Sequence, residues 1–428
     1  MRDMSWILRE TGFDKAKNAF YGNKFFIGNG YMGVRGTVDE AEQDSLPAVN
    51  LAGVYDRVGD GWREPINAFN GFYGYIVIDD KPYILGRDEA LSHEMELDYR
   101  HGILIRKTVW KTPRGTVRFE SRRFVSMTQV CLGAQQYTVS ADFHADIKIV
   151  SGIDVKVWDI NGPHLEKIRL EEGDYLSARG VTHEKSIPVA VSVYMDAEFP
   201  CIRRVISEEE TLKYEWNFVT EIGQEYNLEK IICVLSGDEV SGLEERMQSL
   251  INCPPGKCYG KLLEEQKAYW EEVWEKAAIT ISGDEEAMEA LNFSIYQLYS
   301  IAPHHKKGLS IPARGLSGQT YKGAVFWDTE MFMMDVFLNT NPDIARNLLS
   351  YRIDGLKGAM EKAKVYGYRG AFYAWESQED GFDACSDYNV VDVFTQRPMR
   401  TYFKDKQVHI SAAVVYAFFR YIQTTGDR

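Results

Sequence analysis

At 428 residues, with 45% apolar and 26% charged side chains, the sequence is that of a globular protein with more than one domain and material for a sizeable core. Its formal net charge is -14 and no Lys/Arg run is long enough to track a phosphate backbone, which argues against nucleic acid as a partner but not against one local phosphate. No window approaches about 18 consecutive apolar residues, and the opening Met1-Arg2-Asp3-Met4-Ser5-Trp6 lacks a signal-peptide core, so a cytoplasmic protein that does not engage a membrane is expected.

From residue 1 to about 255, short alternating runs are separated by Gly, Pro, Asn and Asp. The string Phe26-Ile27-Gly28-Asn29-Gly30-Tyr31-Met32-Gly33-Val34-Arg35-Gly36 contains a G-x-G-x-x-G spacing that invites a dinucleotide reading. No helical pattern and no acidic residue at the right distance follow it in a βαβ setting, so the glycines are read as turns between strands. Apolar residues fall at period two over 102–110, 116–127, 145–155, 187–195 and 229–237, which predicts strands; in the third, Ile147, Ile149, Ile153 and Val155 share a face. Many strands with few helices between them predict a large antiparallel β-sandwich over 1–255. The cysteines (Cys131, Cys201, Cys233, Cys253, Cys258 and Cys385) are scattered and read as buried thiols. Cys253 and Cys258 have a spacing open to a metal or a disulfide. No second Cys/His pair completes a zinc set, and the adjacent His304 and His305 point in different directions, so no metal is expected.

At Cys253-Pro254-Pro255-Gly256 the pattern breaks and turns helical. Leu262, Leu263, Tyr269, Trp270, Val273 and Trp274 predict a helix over 261–278 within a linker spanning 256–283. A second helix is predicted over about 284–302, striped by Met288, Leu291, Ile295 and Leu298 and capped by Ser282 or Asp284. A third carries Trp327 and Asp328. A fourth starts at Pro342 with the stripe Ile344, Leu348, Ile353, Leu356 and Met360. After a long loop over 367–406, a last helix over about 409–423 ends at Gly426, and no strand is predicted in this half. The helical part, 284–428, is about half of what a closed ring of helical hairpins needs.

The aromatic content of 13%, with nine Trp and 25 Tyr, suits a saccharide site, because sugar C–H faces stack on rings, although large cores use aromatics too. The densest segment, 312–334, ends its glycine-rich turns on Trp327, Asp328 and Glu330. Carboxylates in a first helical turn are stabilised by the helix dipole, which is one account of Asp328 and Glu330. The other is that Trp327 stacks on a sugar whose hydroxyls donate to Asp328. The loop 370–379 repeats the pairing with Trp375 and Glu376, and two Trp-carboxylate pairs on loops of one helical half favour a sugar site. Lys406, Gln407 and His409 open the last helix; His409 is read either as a pocket donor or as a capping or core histidine.

Segment 26–36 resembles the N-terminal signature of glycoside hydrolase family 65, the maltose, kojibiose, nigerose and trehalose phosphorylases. Segment 315–332 looks like that family's Trp-Asp motif. Segments 370–378, Arg397-Pro398-Met399-Arg400-Thr401-Tyr402-Phe403 and 406–411 are most similar to the kojibiose and nigerose phosphorylase branch. The resemblance implies an N-terminal β-sandwich, a helical linker and the first part of an (α/α)6 barrel. It also implies inverting phosphorolysis of an α-linked glucose disaccharide, with inorganic phosphate as co-substrate and no metal or organic cofactor. Such a reaction needs one carboxylic acid to protonate the leaving oxygen. Carried across position by position, Trp327, Asp328, Trp375 and Glu376 line the glucose pocket, with Lys406, Gln407 and His409 as further substrate-binding candidates. The resemblance places the general acid and the phosphate-binding residues beyond Arg428, so no catalytic residue is assigned and neither Glu330 nor Glu376 is promoted to that role. Ala324 and Gln319 stand where many relatives have His and Glu, departures that bear on acceptor choice. A homodimer is also implied. A hydrolase of the same fold, or an inactive carbohydrate-binding fragment, remains the alternative.

Overall fold

The computed structural model describes residues 6–40, 45–254, 257–388 and 390–427. The expectations placed on the first residues, on the break at Pro255-Gly256 and on Arg428 lie outside them. The N-terminal part is β-rich and antiparallel. A nine-stranded sheet runs in the spatial order Ile7–Thr11, Ala90–Asp98, Ile103–Lys111, Thr116–Val125, Leu132–Ala141, Tyr226–Ser236, Pro188–Ala197, Leu176–Thr182 and Leu165–Glu172. A five-stranded sheet follows the order Ile202–Ser207, Thr211–Val219, Asp146–Asp154, Gly74–Ile78 and Lys81–Tyr83. A smaller four-stranded sheet holds Ile27–Gly28, Met32–Val34, Val49–Asp56 and Glu64–Asn67.

All five runs read as period-two strands are strands, within a few residues at their ends. The reason is visible in Asp146–Asp154, where Ile147, Ile149 and Ile153 point into the shared core and Val150 is buried on the other face. Polar bridges join the two large sheets across that core. Tyr137 Oη lies 3.1 Å from Ser151 Oγ, and Lys230 Nζ donates to Ser151 Oγ at 2.8 Å and to the Tyr73 carbonyl at 2.9 Å. Burial holds the Lys230 ammonium well below its ordinary pKa, and these acceptors satisfy its hydrogens.

Nine helices occur among the described residues: α1 (Asn18–Lys24), α2 (Leu243–Ile251), α3 (Cys258–Ala277), α4 (Glu285–Ile301), α5 (Met334–Thr340), α6 (Pro342–Asp354), α7 (Leu356–Val365), α8 (Phe403–Lys406) and α9 (His409–Thr425). Helix α3 lies against the β-rich part: Met127 N donates to Gln266 Oε1 at 3.0 Å and Trp274 Nε1 to the Arg100 carbonyl at 2.7 Å. Asp284 rather than Ser282 caps α4, its Oδ1 accepting from Ala287 N at 3.0 Å, and Gly426 ends α9 with φ 73°.

Three helical expectations are corrected. The predicted third helix opens as a single π-helical turn, Thr329–Met333, before α5. The predicted fourth is two helices separated at Gly355, so its stripe does not continue: Ile344 and Leu348 are buried, whereas Ile353, Leu356 and Met360 face outward. The long loop contains a two-residue hairpin pairing Val390–Val391 with Pro398–Met399, which is too short to leave a periodic signal.

The string at 26–36 forms the turn between two short strands, as read, and does more. Its glycines are where the β-rich part meets the helical one. A Cβ on Gly28 would lie 2.5 Å from the Ser300 carbonyl oxygen, one on Gly30 2.0 Å from that of Ala302, and one on Gly33 2.4 Å from that of Leu316. Gly30 N donates to the Ser300 carbonyl at 2.9 Å, and Tyr296 Oη to the Phe26 carbonyl at 3.0 Å. The spacing serves close packing of two backbones.

Candidate sugar-binding site

Val325 and Ser377 form an antiparallel bridge, with N···O distances of 2.8 and 3.0 Å in the two directions. The bridge brings the segments of the two Trp-carboxylate pairs together, and one imidazole packs against both tryptophans. His409, the first residue of α9, stands edge-on to both: its ring centroid is 4.8 Å from that of Trp327 at 87° and 6.2 Å from that of Trp375 at 70°. Phe326 packs edge-on to Trp375 at 5.5 Å. Both indoles are half-buried against Tyr373, Ile410 and Val414, leaving part of each ring exposed. His409 is exposed, which settles it as a surface group at the helix start rather than a core histidine.

The four carboxylates nearby have different roles. Glu330 is locked: Arg352 Nε and Nη2 donate to its two oxygens at 2.7 and 2.8 Å, and both side chains are buried. Arg352 Nη2 also donates to the Phe326 carbonyl at 2.8 Å, and Tyr373 Oη to the Arg352 carbonyl at 3.0 Å. This pair builds the floor of the tryptophan cluster. Glu376 accepts from Lys322 Nζ at 2.9 Å. Burial pushes the Glu376 carboxyl above its ordinary pKa, against the opposing hydrogen bond and charge of Lys322. Asp383 shapes the loop by accepting from the backbone N–H groups of Trp375 and Cys385, at 3.1 and 3.0 Å, and from Lys362 Nζ at 2.6 Å. Asp328 differs from all three. It is half-buried at the head of the π-turn, and its carboxylate makes no hydrogen bond or ion pair with the described residues. A half-buried carboxylate next to a half-buried indole, with its acceptor capacity unspent, suits a polyhydroxylated ring.

The structure therefore brings together Trp327, Trp375 and His409, with Asp328 and Glu376 adjacent to the tryptophans along the chain and Glu376 turned to Lys322. It does not bring in Lys406, whose exposed Nζ sits 4.9 Å above the Tyr402 ring, and it gives the Gln407 side chain no hydrogen bond to the described residues. Lys322, Arg352, Lys362 and Asp383 were not singled out from sequence, and no spacing marks them. Gln319 and Ala324 are both buried. Gln319 sits at the seam between the two parts, where Nε2 donates to the Pro65 carbonyl at 2.7 Å and to Asp159, and Oε1 accepts from Ile160 N at 2.9 Å.

Beside Gln319, Glu64, Asp159 and His164 bring one ligand-type atom each within 4.8 Å of one another, a grouping the sequence did not reveal. Their atoms are already engaged. His164 Nε2 lies 2.9 Å from Glu64 and Nδ1 3.1 Å from Asp56, while Asn161 and Trp62 also donate to Glu64, at 2.7 to 2.9 Å. Burial depresses the imidazole, but the bonds to Glu64 and Asp56 and the charge of Asp159 outweigh it and raise its pKa. The group is read as a buried imidazolium held by carboxylates.

Residues 8–273 match the family model described as the N-terminal domain of glycosyl hydrolase family 65, and residues 292–428 the central catalytic domain of that family. A nigerose phosphorylase of Lachnoclostridium phytofermentans is 48% identical over 99% of this chain and 60% of its own length. A 1,2-alpha-glucosylglycerol phosphorylase of Bacillus selenitireducens is 33% identical over 99% of this chain and 55% of its own. A kojibiose phosphorylase of Escherichia coli is 31% identical over 98% and 57%. The solved structure of a putative kojibiose phosphorylase from the human microbiome superposes with a TM-score of 0.84 at 18% identity, covering 99% of this chain and 56% of that one, and so has the same fold. The chain spans no more than about 60% of the length of these curated relatives. Two family models that together span most of the sequence, on a fold shared with a solved relative, establish that the chain belongs to glycoside hydrolase family 65.

Proposed function

We propose that these residues hold the glucose of an α-linked disaccharide such as nigerose, kojibiose or maltose in an inverting phosphorolysis. The observation that carries this reading is the unengaged Asp328 carboxylate beside the Trp327–His409–Trp375 cluster. Relatives in the family that are phosphorylases of nigerose, kojibiose and glucosylglycerol support it. A phosphate oxygen attacks the anomeric carbon, the bond from that carbon to the glycosidic oxygen breaks, and a carboxylic acid supplies the proton to the leaving sugar. Inversion gives β-glucose 1-phosphate. Phosphate is the nucleophile and co-substrate, and the reaction calls for no metal or organic cofactor.

Within the site, Trp327 and Trp375 stack on the ring, Asp328 accepts from its hydroxyls, and Glu376, held by Lys322, accepts from another. Lys406, Gln407 and His409 stand at the rim. Glu330 is excluded as proton donor by its bidentate bond to Arg352. No general acid is assigned among the described residues. In this reading residues 1–255 are a β-sandwich, 256–283 a linker and 284–428 part of an (α/α)6 barrel, in a cytoplasmic homodimer. Incubation with nigerose or kojibiose and inorganic phosphate tests the reaction: glucose 1-phosphate supports it, whereas free glucose as the sole glucosyl product assigns hydrolysis instead.

A further inference from the structure

A second hollow lies on the far side of the Lys322–Glu376 ion pair, where the two parts of the chain meet. Its volume is about 260 Å³, below the roughly 300–1,000 Å³ of sites for drug-sized ligands and on the scale of a single small ring. The β-rich part contributes the loop from Arg57 to Arg63, and the helical part contributes Lys322 and the turn from Gln378 to Ala384. Two large aromatic side chains line it while remaining about half exposed, Trp62 at 48% and Phe382 at 47%. Trp62 is not a loose surface ring, because its Nε1 donates to the fully buried Glu64 at 2.8 Å, which fixes the indole in place. The wall is fixed too: Gln378 Nε2 donates to the carbonyls of Arg63 and Lys322, at 2.9 and 2.8 Å, and ties the two parts together across the hollow.

The charges around it indicate the ligand. Every cation on the wall already has a carboxylate: Arg63 binds Glu184 through two bonds of 2.8 and 2.7 Å, Arg57 reaches Glu184 at 3.2 Å, and Lys322 holds Glu376 at 2.9 Å. An anion would meet no unpaired positive charge and would face Asp380 and Asp383. A neutral ring with apolar C–H faces and hydroxyls finds an anchored indole, a second aromatic ring and carboxylates that accept hydrogen bonds.

We propose that this hollow is a second sugar site, taking one neutral hexose ring, either free or as the end of a short oligosaccharide. It is separate from the Trp327–Trp375 cluster, and its existence does not depend on the reading of that cluster. The test is to incorporate 5-fluorotryptophan into the whole chain and titrate it with glucose and with kojibiose by fluorine NMR, assigning Trp62 and Trp327 by Trp62→Phe and Trp327→Phe. The Trp62 resonance is expected to shift saturably, to do so equally in Trp327→Phe, and to need severalfold to about tenfold more sugar in Phe382→Ala. Saturation with glucose alone identifies a free hexose; saturation only with kojibiose identifies an oligosaccharide end. A Trp62 resonance that stays still, that drifts without saturating, or whose midpoint is unchanged by Phe382→Ala overturns the proposal. Saturable shifts at Trp327 alone sink this inference and keep the proposed glucose pocket, and shifts at Trp62 alone do the reverse.

Discussion

Asp328 and Glu330 stand two residues apart at the same helical start, and only their partners tell them apart. Replacing Asp328 by Asn removes a charged acceptor that none of the described residues uses. The expected result is a glucoside affinity lowered by about tenfold to a hundredfold with an unchanged unfolding midpoint, read by calorimetric titration and thermal denaturation of the same sample. Glu330→Gln leaves the buried Arg352 guanidinium without its carboxylate and is expected to cost about 3–5 kcal/mol, measured as a shift in the urea midpoint. Sequence alone offered the helix dipole and a sugar contact as accounts of both residues. It had no means of separating them, because the partner that decides, Arg352, lies 22 residues away on another helix. The tryptophans were more legible: two Trp-carboxylate pairs are visible as text, although the bridge that brings their segments together rests on Val325 and Ser377, which carry no chemistry of their own.

Among the elements, strands of the two large sheets were readable because one or both faces are buried and the pattern has nowhere to drift. The long helices α3, α4 and α9 were readable by their periodicity, whereas the short α1, α2 and α8 went unread, Gly355 divides a stripe and a π-turn replaces the first turn of a helix. The glycine string was half legible. A turn between strands follows from the residues themselves, but the second backbone pressed against it comes from about 270 residues later. Gly30 tests that packing. Its φ is 75° and its missing Cβ would meet a main-chain oxygen, so Gly30→Ala combines left-handed strain with overpacking, for a loss of about 2–5 kcal/mol. Gly283 has φ 88° and open space around it, so Gly283→Ala is expected to show the strain alone, about 1–2 kcal/mol. Urea unfolding of the two variants side by side makes the comparison.

For the whole molecule, the buried His164 makes stability depend on pH. Its pKa is raised in the folded state, so it contributes stability that is complete below the unfolded value near 6.5 and is lost as pH rises through the folded value. Asp159 has the same sign at lower pH: burial lifts its carboxyl from 3.8 to about 6, so its contribution is lost across that range and leaves the decline above pH 6 to His164. The excess stability of the native chain over His164→Gln is therefore expected to be largest near pH 6 and to shrink steadily toward pH 9, as followed by urea midpoints across that range. An excess that grows with pH would contradict the assignment of His164 as an imidazolium.

The seam where the β-rich and helical parts meet is written largely in main-chain atoms. Beyond the glycines, Tyr55 Oη donates to the Gly323 carbonyl at 2.7 Å, Asn50 Nδ2 to that of Leu316 at 3.1 Å and Arg35 Nη1 to that of Ser317 at 2.8 Å. A surface that recognises carbonyl oxygens is indifferent to the side chains projecting from them. Apart from residues such as Tyr296 and Gln319, whose own side chains cross the seam, the stretch from 296 to 323 can therefore drift in sequence without undocking from its scaffold. Exchanging that helical half between relatives with different sugars becomes largely a matter of preserving a backbone path, and the residues to be kept are those on the receiving side together with these.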